Sequence, residues 1–265
     1  VRGVFLLDIR QRVVIDAGHG GEYDPGAVFE GRQEKDDNLR LALAVGDILE
    51  NNGVEVIFTR VTDVYDTPYE KADMANEAEA DFFVSIHRNA AAEPGTGSGT
   101  MTLVYKEEGL AAELAQSINR ELARTGFTDL GTFERPGLVV LRKTQMPAAL
   151  VEAGFIDNPE DNAKFDAQFE EIAGAIATGI LDVVKQQEEN YYYMIQTGAY
   201  RIRSLAEQQL EELKSEGFPA YLVLEDGLYK VRVGAFKEMD NAVKMEQELR
   251  RNGFSTVLVH GPAVY

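Results

Sequence analysis

Val13-Val14-Ile15-Asp16-Ala17-Gly18-His19-Gly20-Gly21 carries an apolar strand into a glycine-flanked histidine, and Phe82-Phe83-Val84-Ser85-Ile86-His87 carries a second strand into another. Continuous apolar runs of this length, bounded by turn residues, are the pattern of strands buried on both faces. Around them the first 185 residues alternate strand and helix. Strands are predicted near 12–16, 54–58, 81–86, 100–105, 137–141 and 148–153. Helices are predicted near 35–51, 68–79, 108–125 and 166–184. The alternation implies an α/β domain with a twisted, mostly parallel sheet flanked by helices on both faces. Sites in such sheets form just beyond the carboxyl ends of the strands. Two of the chain's three histidines stand there, so the pair reads first as a metal site.

The tail has a different organisation. Tyr193-Met194-Ile195-Gln196-Thr197-Gly198-Ala199-Tyr200 matches Tyr229-Lys230-Val231-Arg232-Val233-Gly234-Ala235-Phe236 at an offset of 36. The offset persists through Ala206 and Ala242, Leu213 and Leu249, Gly217-Phe218 and Gly253-Phe254, and Val223 and Val259. Each copy reads as strand, helix, strand, so two copies give a small C-terminal ferredoxin-like βαββαβ domain. Asp226-Gly227 is a hairpin signal between them. The expected division is a leader segment at 1–11, a catalytic domain at 12–185, a polar linker at 186–192 and the repeat domain at 193–265.

Composition narrows the chemistry. A net charge of −19 argues against nucleic acid, because phosphate recognition needs clustered Lys and Arg. The negative charge is concentrated before the repeat. No run of about 18 apolar residues is present, so no membrane span is expected. Val4-Phe5-Leu6-Leu7 is too short for the apolar region of a signal peptide. Cysteine is absent, which leaves His, Asp and Glu as metal ligands.

Catalytic metal sites often use three protein ligands and one open position. The third ligand beside His19 and His87 should be a carboxylate near the rim of the sheet. Glu34 fits, after the glycine-rich loop and at the start of a helix; it also fits a plain first-turn acid favoured by the helix dipole. Glu152 is the single acid in Ala148-Ala149-Leu150-Val151-Glu152-Ala153-Gly154-Phe155. It is either a residue at the sheet edge facing water or, beside a metal, a general base. His260, near the end of the repeat, reads as a surface residue.

Four motifs carry a resemblance: Asp16-Ala17-Gly18-His19-Gly20-Gly21, Glu34-Lys35-Asp36, Ser85-Ile86-His87-Arg88-Asn89-Ala90, and Val151-Glu152-Ala153-Gly154-Phe155-Ile156-Asp157-Asn158. In this order and spacing they resemble the zinc-dependent N-acetylmuramoyl-L-alanine amidases of the Amidase_3 type, over about residues 12–184. The tail resembles a SPOR domain, a peptidoglycan-binding module. The combination is similar to sporulation-phase cell-wall amidases of Gram-positive bacteria.

The resemblance implies a six-stranded sheet, Zn2+ held by His19, Glu34 and His87, and Glu152 as the catalytic carboxylate. The implied substrate is peptidoglycan, cut between the lactyl group of N-acetylmuramic acid and L-alanine, in a secreted or cell-wall setting. Asn89 and Arg142 are further substrate-binding candidates, and Gln196, Tyr200, Arg232 and Phe236 are candidates for contact with glycan. The bland reading of the tail aromatics is that they fill the small core.

Two other readings of the chain are an inactive peptidoglycan-binding protein and a zinc carboxypeptidase acting on stem peptides. Three positions depart from the family pattern. Arg88 stands where a small or apolar residue is common and is expected to alter the charge of the cleft. Lys71 replaces a usual Arg, and Met101 stands where many relatives carry Glu. Regulated members of the family have an occluding helix after the second histidine. Here residues 90–99 read as a flexible, glycine-rich loop, implying an open site.

Overall fold

The computed structural model describes residues 11–225 and 227–262. The chain forms two compact units, one ending at Val184 and the other beginning at Lys185. The leader expected at 1–11 lies, apart from Gln11, outside the described residues. Asp226 of the expected hairpin does too.

In the first unit β1 (Arg12–Ala17) leads through a small hairpin, β2 (Val28–Phe29) and β3 (Arg32–Gln33), into α1 (Glu34–Asn51). Next come β4 (Glu55–Phe58), α2 (Pro68–Glu77), β5 (Phe82–Asn89), β6 (Thr100–Val104), α3 (Gly109–Arg124) and β7 (Asp129–Glu134). The unit closes with α4 (Val139–Lys143), β8 (Ala148–Phe155), α5 (Pro159–Ala167) and α6 (Phe169–Glu189). The six-stranded sheet has the order β4-β1-β5-β8-β6-β7 and is parallel except between β8 and β6.

Strand alternation distributes the core. Val13, Ile15, Val84, Ile86, Ala149 and Val151 face one side, against Leu41 and Val45 of α1, Ile118 of α3 and Ile176 of α6. Val14, Phe83 and Leu150 face the other, against Ala75 of α2 and Val140 and Leu141 of α4. The period of two then places Asp16, Ser85, His87 and Glu152 on this second side, in the last turns of their strands.

The expected strand at 137–141 is not a strand. Residues 139–143 form α4, which follows the Pro136-Gly137 turn and buries Val140 and Leu141. A short apolar run is compatible with either element, and length and flanks decide. The sixth strand is instead β7, whose half-exposed sequence Asp-Leu-Gly-Thr-Phe-Glu has little apolar signal at the sheet's margin. The expected helix at 166–184 is α6, which begins at Phe169, and a further helix that was not expected, α5, precedes it. Asn158 caps α5 by accepting from the backbone N–H groups of Glu160 and Asp161 at 2.9 and 3.1 Å, with Pro159 at its first position. Within the expected polar linker, α6 continues to Glu189 and a strand begins at Tyr191. Gln and Glu are good helix formers, so the polar run extends the helix.

The second unit consists of β9 (Tyr191–Tyr200), α7 (Arg203–Ser215), β10 (Ala220–Glu225), β11 (Leu228–Phe236), α8 (Met239–Arg251) and β12 (Val257–Pro262). Its antiparallel sheet has the order β10-β11-β9-β12, the ferredoxin-like arrangement. The repeat is visible in the core: Ala206 and Ala242, and Leu213 and Leu249, are all fully buried at equivalent helix positions.

A buried ion pair ties the sheet to α2. Asp16 accepts from Thr59 Oγ1 at 2.7 Å and Ser85 Oγ at 2.6 Å, and its carboxylate lies 2.9 Å from Lys71 Nζ. Burial raises the Asp16 carboxyl, but Lys71 and the two hydroxyls outweigh it and leave it below its usual value. Lys71→Met strands a buried charge and is expected to cost about 3–5 kcal/mol in urea unfolding at pH 7. A depressed carboxyl stabilises the fold above its unfolded value of about 3.9 and loses that contribution as pH falls through the folded value. The gap between wild type and variant should therefore narrow below about pH 4; an equal gap at pH 3 and pH 7 would contradict this assignment.

Candidate metal centre

His19 follows β1 in a left-handed conformation, φ 59°. The turn that holds it is gripped by buried cations and one amide. Arg60 donates to the carbonyls of Ala17 and Gly18, both at 3.0 Å, and Lys71 donates to Ala17 O at 2.8 Å. Asn38 adds a bond to Gly18 O at 3.2 Å, and Lys35 one to Gly21 O at 2.9 Å. Charge-assisted bonds of this kind offset the strain of a non-glycine residue at positive φ.

Three donor groups converge beyond the strands. His19 Nε2 lies 3.2 Å from Glu34 Oε2, and His87 Nδ1 lies 2.9 Å from Glu34 Oε1. Ligand atoms from His19, Glu34 and His87 all lie within 4.8 Å of one another. The imidazole centroids are 4.9 Å apart at 78°. Two glycines make the approach possible. A Cβ on Gly18 would stand 2.3 Å from the His87 ring, and one on Gly26 would stand 2.6 Å from Glu34 Oε2. Glu34, the first residue of α1, is buried and held by backbone N–H groups of Ala27 at 2.9 Å and Arg88 at 3.1 Å and by Asn38 Nδ2 at 3.2 Å. Its role therefore extends well beyond that of a first-turn acid in solvent.

The donor set fits a divalent metal. A buried carboxylate between two imidazoles needs positive charge beside it. Without a metal that charge is a proton: burial lowers His19, but Glu34 and Asp24 outweigh it and hold the imidazole up at about 9. Burial alone would raise Glu34; the two histidines drive it far below the carboxylate range. His19 Nδ1 donates to Asp24 Oδ1 at 2.7 Å, which leaves Nε2 facing Glu34, where it could serve a metal. Sequence reasoning missed Asp24; an acid five residues beyond a candidate ligand, within the same loop, was the available signal.

Glu152 sits in the same row. It is the Cα partner of His87 on β5 and of Met101 on β6, so its strand is interior and the sheet-edge reading does not hold. Its Oε2 is enclosed without a hydrogen-bond partner among the described residues. Burial pushes its carboxyl up to about 7, against the opposing pull of His87. Asn89 is half-buried nearby, with Nδ2 3.6 Å from Met101 Sδ.

Arg88 does not alter the cleft charge as expected. Alternation turns it away from His87 to the opposite side of the sheet, where it is 2 % exposed. Its guanidinium bonds Asp37 Oδ2 at 2.7 Å, Asn162 Oδ1 at 2.8 Å and Phe155 O at 3.3 Å, and lies 4.1 Å from the Phe165 ring centroid. It thereby joins the start of α1, which carries Glu34, to the end of β8, which carries Glu152.

A cleft of about 300 Å³ opens beside the histidines, lined by His19, His87, Asp24, Asp66, Pro68 and Lys71 and by residues 137–140. Arg142 is not in it; it is exposed on α4 and lines a separate pocket with Tyr105 and Lys106. Residues 90–99 contain no helix, but they are pinned rather than loose. Asp157 accepts from Ala91 N at 2.9 Å, Asn158 donates to Gly97 O at 2.8 Å, and Asp161 accepts from Ser98 Oγ and Gly99 N at 2.8 and 2.9 Å.

In the second unit Gln196 and Arg232 are Cα partners on neighbouring strands. Arg232 is buried and paired with Glu225. Tyr200, whose hydroxyl is 3.0 Å from Gln209 Oε1, and Phe236 pack against the core. His260 is not a plain surface residue: it is half-buried and stacks on Tyr193 at 4.3 Å.

The N-acetylmuramoyl-L-alanine amidase family (Amidase_3) matches residues 13–182, and the SPOR domain family matches residues 189–260. The chain is similar to the sporulation-specific N-acetylmuramoyl-L-alanine amidase of Bacillus subtilis, 34 % identical over 223 residues, covering 81 % of this chain and 85 % of that protein. It is similar, again at 34 % identity, to the N-acetylmuramoyl-L-alanine amidase CwlM of Bacillus licheniformis, with the same coverage over 222 residues. Among solved structures, an N-acetylmuramoyl-L-alanine amidase from Clostridium difficile 630 superposes with a TM-score of 0.63 at 31 % identity, over 66 % of this chain and 97 % of that one. The catalytic domain of CwlV from Bacillus (Paenibacillus) polymyxa var. colistinus gives 0.61 at 35 % identity, over 66 % and 98 %.

Proposed function

Because the chain belongs to the N-acetylmuramoyl-L-alanine amidase family and carries a SPOR domain, we propose that it is a zinc-dependent peptidoglycan amidase with His19, Glu34 and His87 as metal ligands and Glu152 as catalytic base. The observation that carries the reading is the convergence of two imidazoles and one buried carboxylate at the carboxyl edge of the sheet, with a second, unpartnered carboxylate in the same row. Bound zinc would lower the pKa of a water from about 15.7 to about 7 and polarise the lactyl carbonyl.

The protein's own groups do the rest. Asp24 orients His19. Glu34 is fixed by three N–H donors. Glu152, poised near neutrality, accepts a proton from the attacking water and passes it to the leaving nitrogen of L-alanine. An amide nitrogen departs poorly unless protonated, so that second transfer is as necessary as the first. Asn89 remains a proposed substrate contact; its Nδ2 lies 3.6 Å from the sulfur of Met101, the Cα partner of Glu152. Gln196, Tyr200, Arg232 and Phe236 remain the proposed glycan contacts of the SPOR domain, although the packing of Tyr200 and Phe236 and the ion pair of Arg232 give each a structural role as well. A SPOR domain that holds stripped glycan would keep the enzyme on its product, in a cell-wall setting. No helix among the described residues is long and apolar enough to cross a membrane.

Chelation should abolish dye release from labelled cell walls, and added zinc should restore it; full activity in the chelated protein would overturn the metal reading. Arg88→Met, which unlinks α1 from β8, is expected to weaken zinc binding by about 10–100-fold in chelator competition; unchanged affinity would make Arg88 a packing residue only. With no helix in residues 90–99, hydrolysis should proceed without an activator, and a large rise on adding one would count against an open site.

A further inference from the structure

Of the eight exposed large apolar or aromatic side chains described in the first unit, five lie on two neighbouring loops and the first turn of α2: Tyr23, Val61, Val64, Tyr65 and Tyr69. Single exposed residues need no explanation, but a concentration beside a cleft does. The loops are joined. Gly21 N donates to Asp63 Oδ1 at 2.7 Å, and Lys35 bridges Gly21 O and Asp63. A Cβ on Gly21 would stand 2.9 Å from Tyr65 Cβ. The same two loops and the start of α2 contribute to the cleft lining, through His19 and Asp24 on the first loop, Asp66 on the second and Pro68 on α2. Tyr23, Tyr65 and Tyr69, at 90, 49 and 51 % exposure, are the chain neighbours of the cleft-lining residues Asp24, Asp66 and Pro68, which puts them at its rim.

We propose that this rim is a glycan subsite, on which sugar rings flanking the muramoyl residue under attack lie against Tyr23, Tyr65 and Tyr69. The inference rests on the amidase reading above. Sugar rings present C–H faces bordered by hydroxyls, and tyrosine offers an apolar face with a polar tip. Charge selects between the two parts of the polymer. Asp24 and Asp66 line the cleft here, and Glu22 and Asp63 stand on the same two loops. Asp24 is paired with His19 and Asp63 with Lys35, so the excess negative charge of Glu22 and Asp66 is what disfavours the free carboxylates of stem peptides. Peptide-substituted glycan is uncharged. The stem peptide is left with the part of the cleft lining formed by Gly137, Leu138, Val139 and Val140, which is apolar.

The test is steady-state hydrolysis by the full chain, zinc-loaded, of muramoyl peptides with one stem peptide and one, two or four sugars. In wild type KM should fall as sugars are added. In Tyr23→Ser/Tyr65→Ser/Tyr69→Ser, exposed changes that leave the core intact, the gain should be lost, with KM on the longest substrate raised about tenfold or more and kcat kept. A variant that retains the full gain overturns the subsite. So does one that loses its dependence on stem-peptide length instead, which would make the peptide the occupant. Failure of wild type to cleave any member of the series would sink the amidase reading rather than this one.

Discussion

Glu152→Ala is expected to lower kcat on peptidoglycan by about 10²-fold or more while zinc content stays at the wild-type level. The two parts of that result separate the roles. Glu152 makes no close ion pair with His19, Glu34 or His87, so its removal leaves the three donors and their supports in place. Its enclosed Oε2, without a partner among the described residues, is an acceptor in want of a proton donor, and the attacking water would be that donor. With burial holding the carboxyl at about 7, the group both takes and returns a proton near neutral pH. Turnover near wild type in this variant would remove Glu152 from the mechanism. Loss of zinc together with activity would make it a ligand.

The second large effect is expected for the donors themselves. His19→Ala, Glu34→Ala and His87→Ala should each lose zinc, read by elemental analysis after dialysis, and hydrolysis with it. Three-ligand sites have no spare donor. Glu34→Ala should be the most severe, because it also strands the N–H groups of Ala27 and Arg88 and the Asn38 amide. Metal binding at His19 also requires release of the proton that Glu34 and Asp24 favour there, so affinity should fall as pH falls. Full zinc content in any one of the three variants would overturn the ligand set.

The site was legible in the sequence because its chemistry sits on the strongest local signals. β1 and β5 are apolar runs that end in histidine, and β8 is an apolar run with one acid. Sheet topology brings β1, β5 and β8 side by side, which no single segment states. The tail repeat was legible for a similar reason: each copy spends its small and apolar residues on the same core positions. What the sequence hid was weakly apolar or ambiguous. β7 is a half-exposed strand at the sheet's margin, α5 buries little beyond Asp161 and Phe165, and residues 139–141 have the composition of a strand but fold as a helix. Arg88 was misread although strand alternation alone turns it away from the face of His87. The roles of Lys35 and Arg60 were missed because they act on the His19 loop from elsewhere in the chain, and Asp24 because nothing but its place in that loop marks it.

The most direct test of the central claim is mass spectrometry of purified peptidoglycan digested by the zinc-loaded protein. The account predicts intact stem peptides that begin with a free L-alanine amine, together with glycan whose muramic acid carries a free lactyl carboxylate, and neither product from Glu152→Ala. New termini inside the stem peptide, or glycan and peptide still joined after exhaustive digestion, would contradict it.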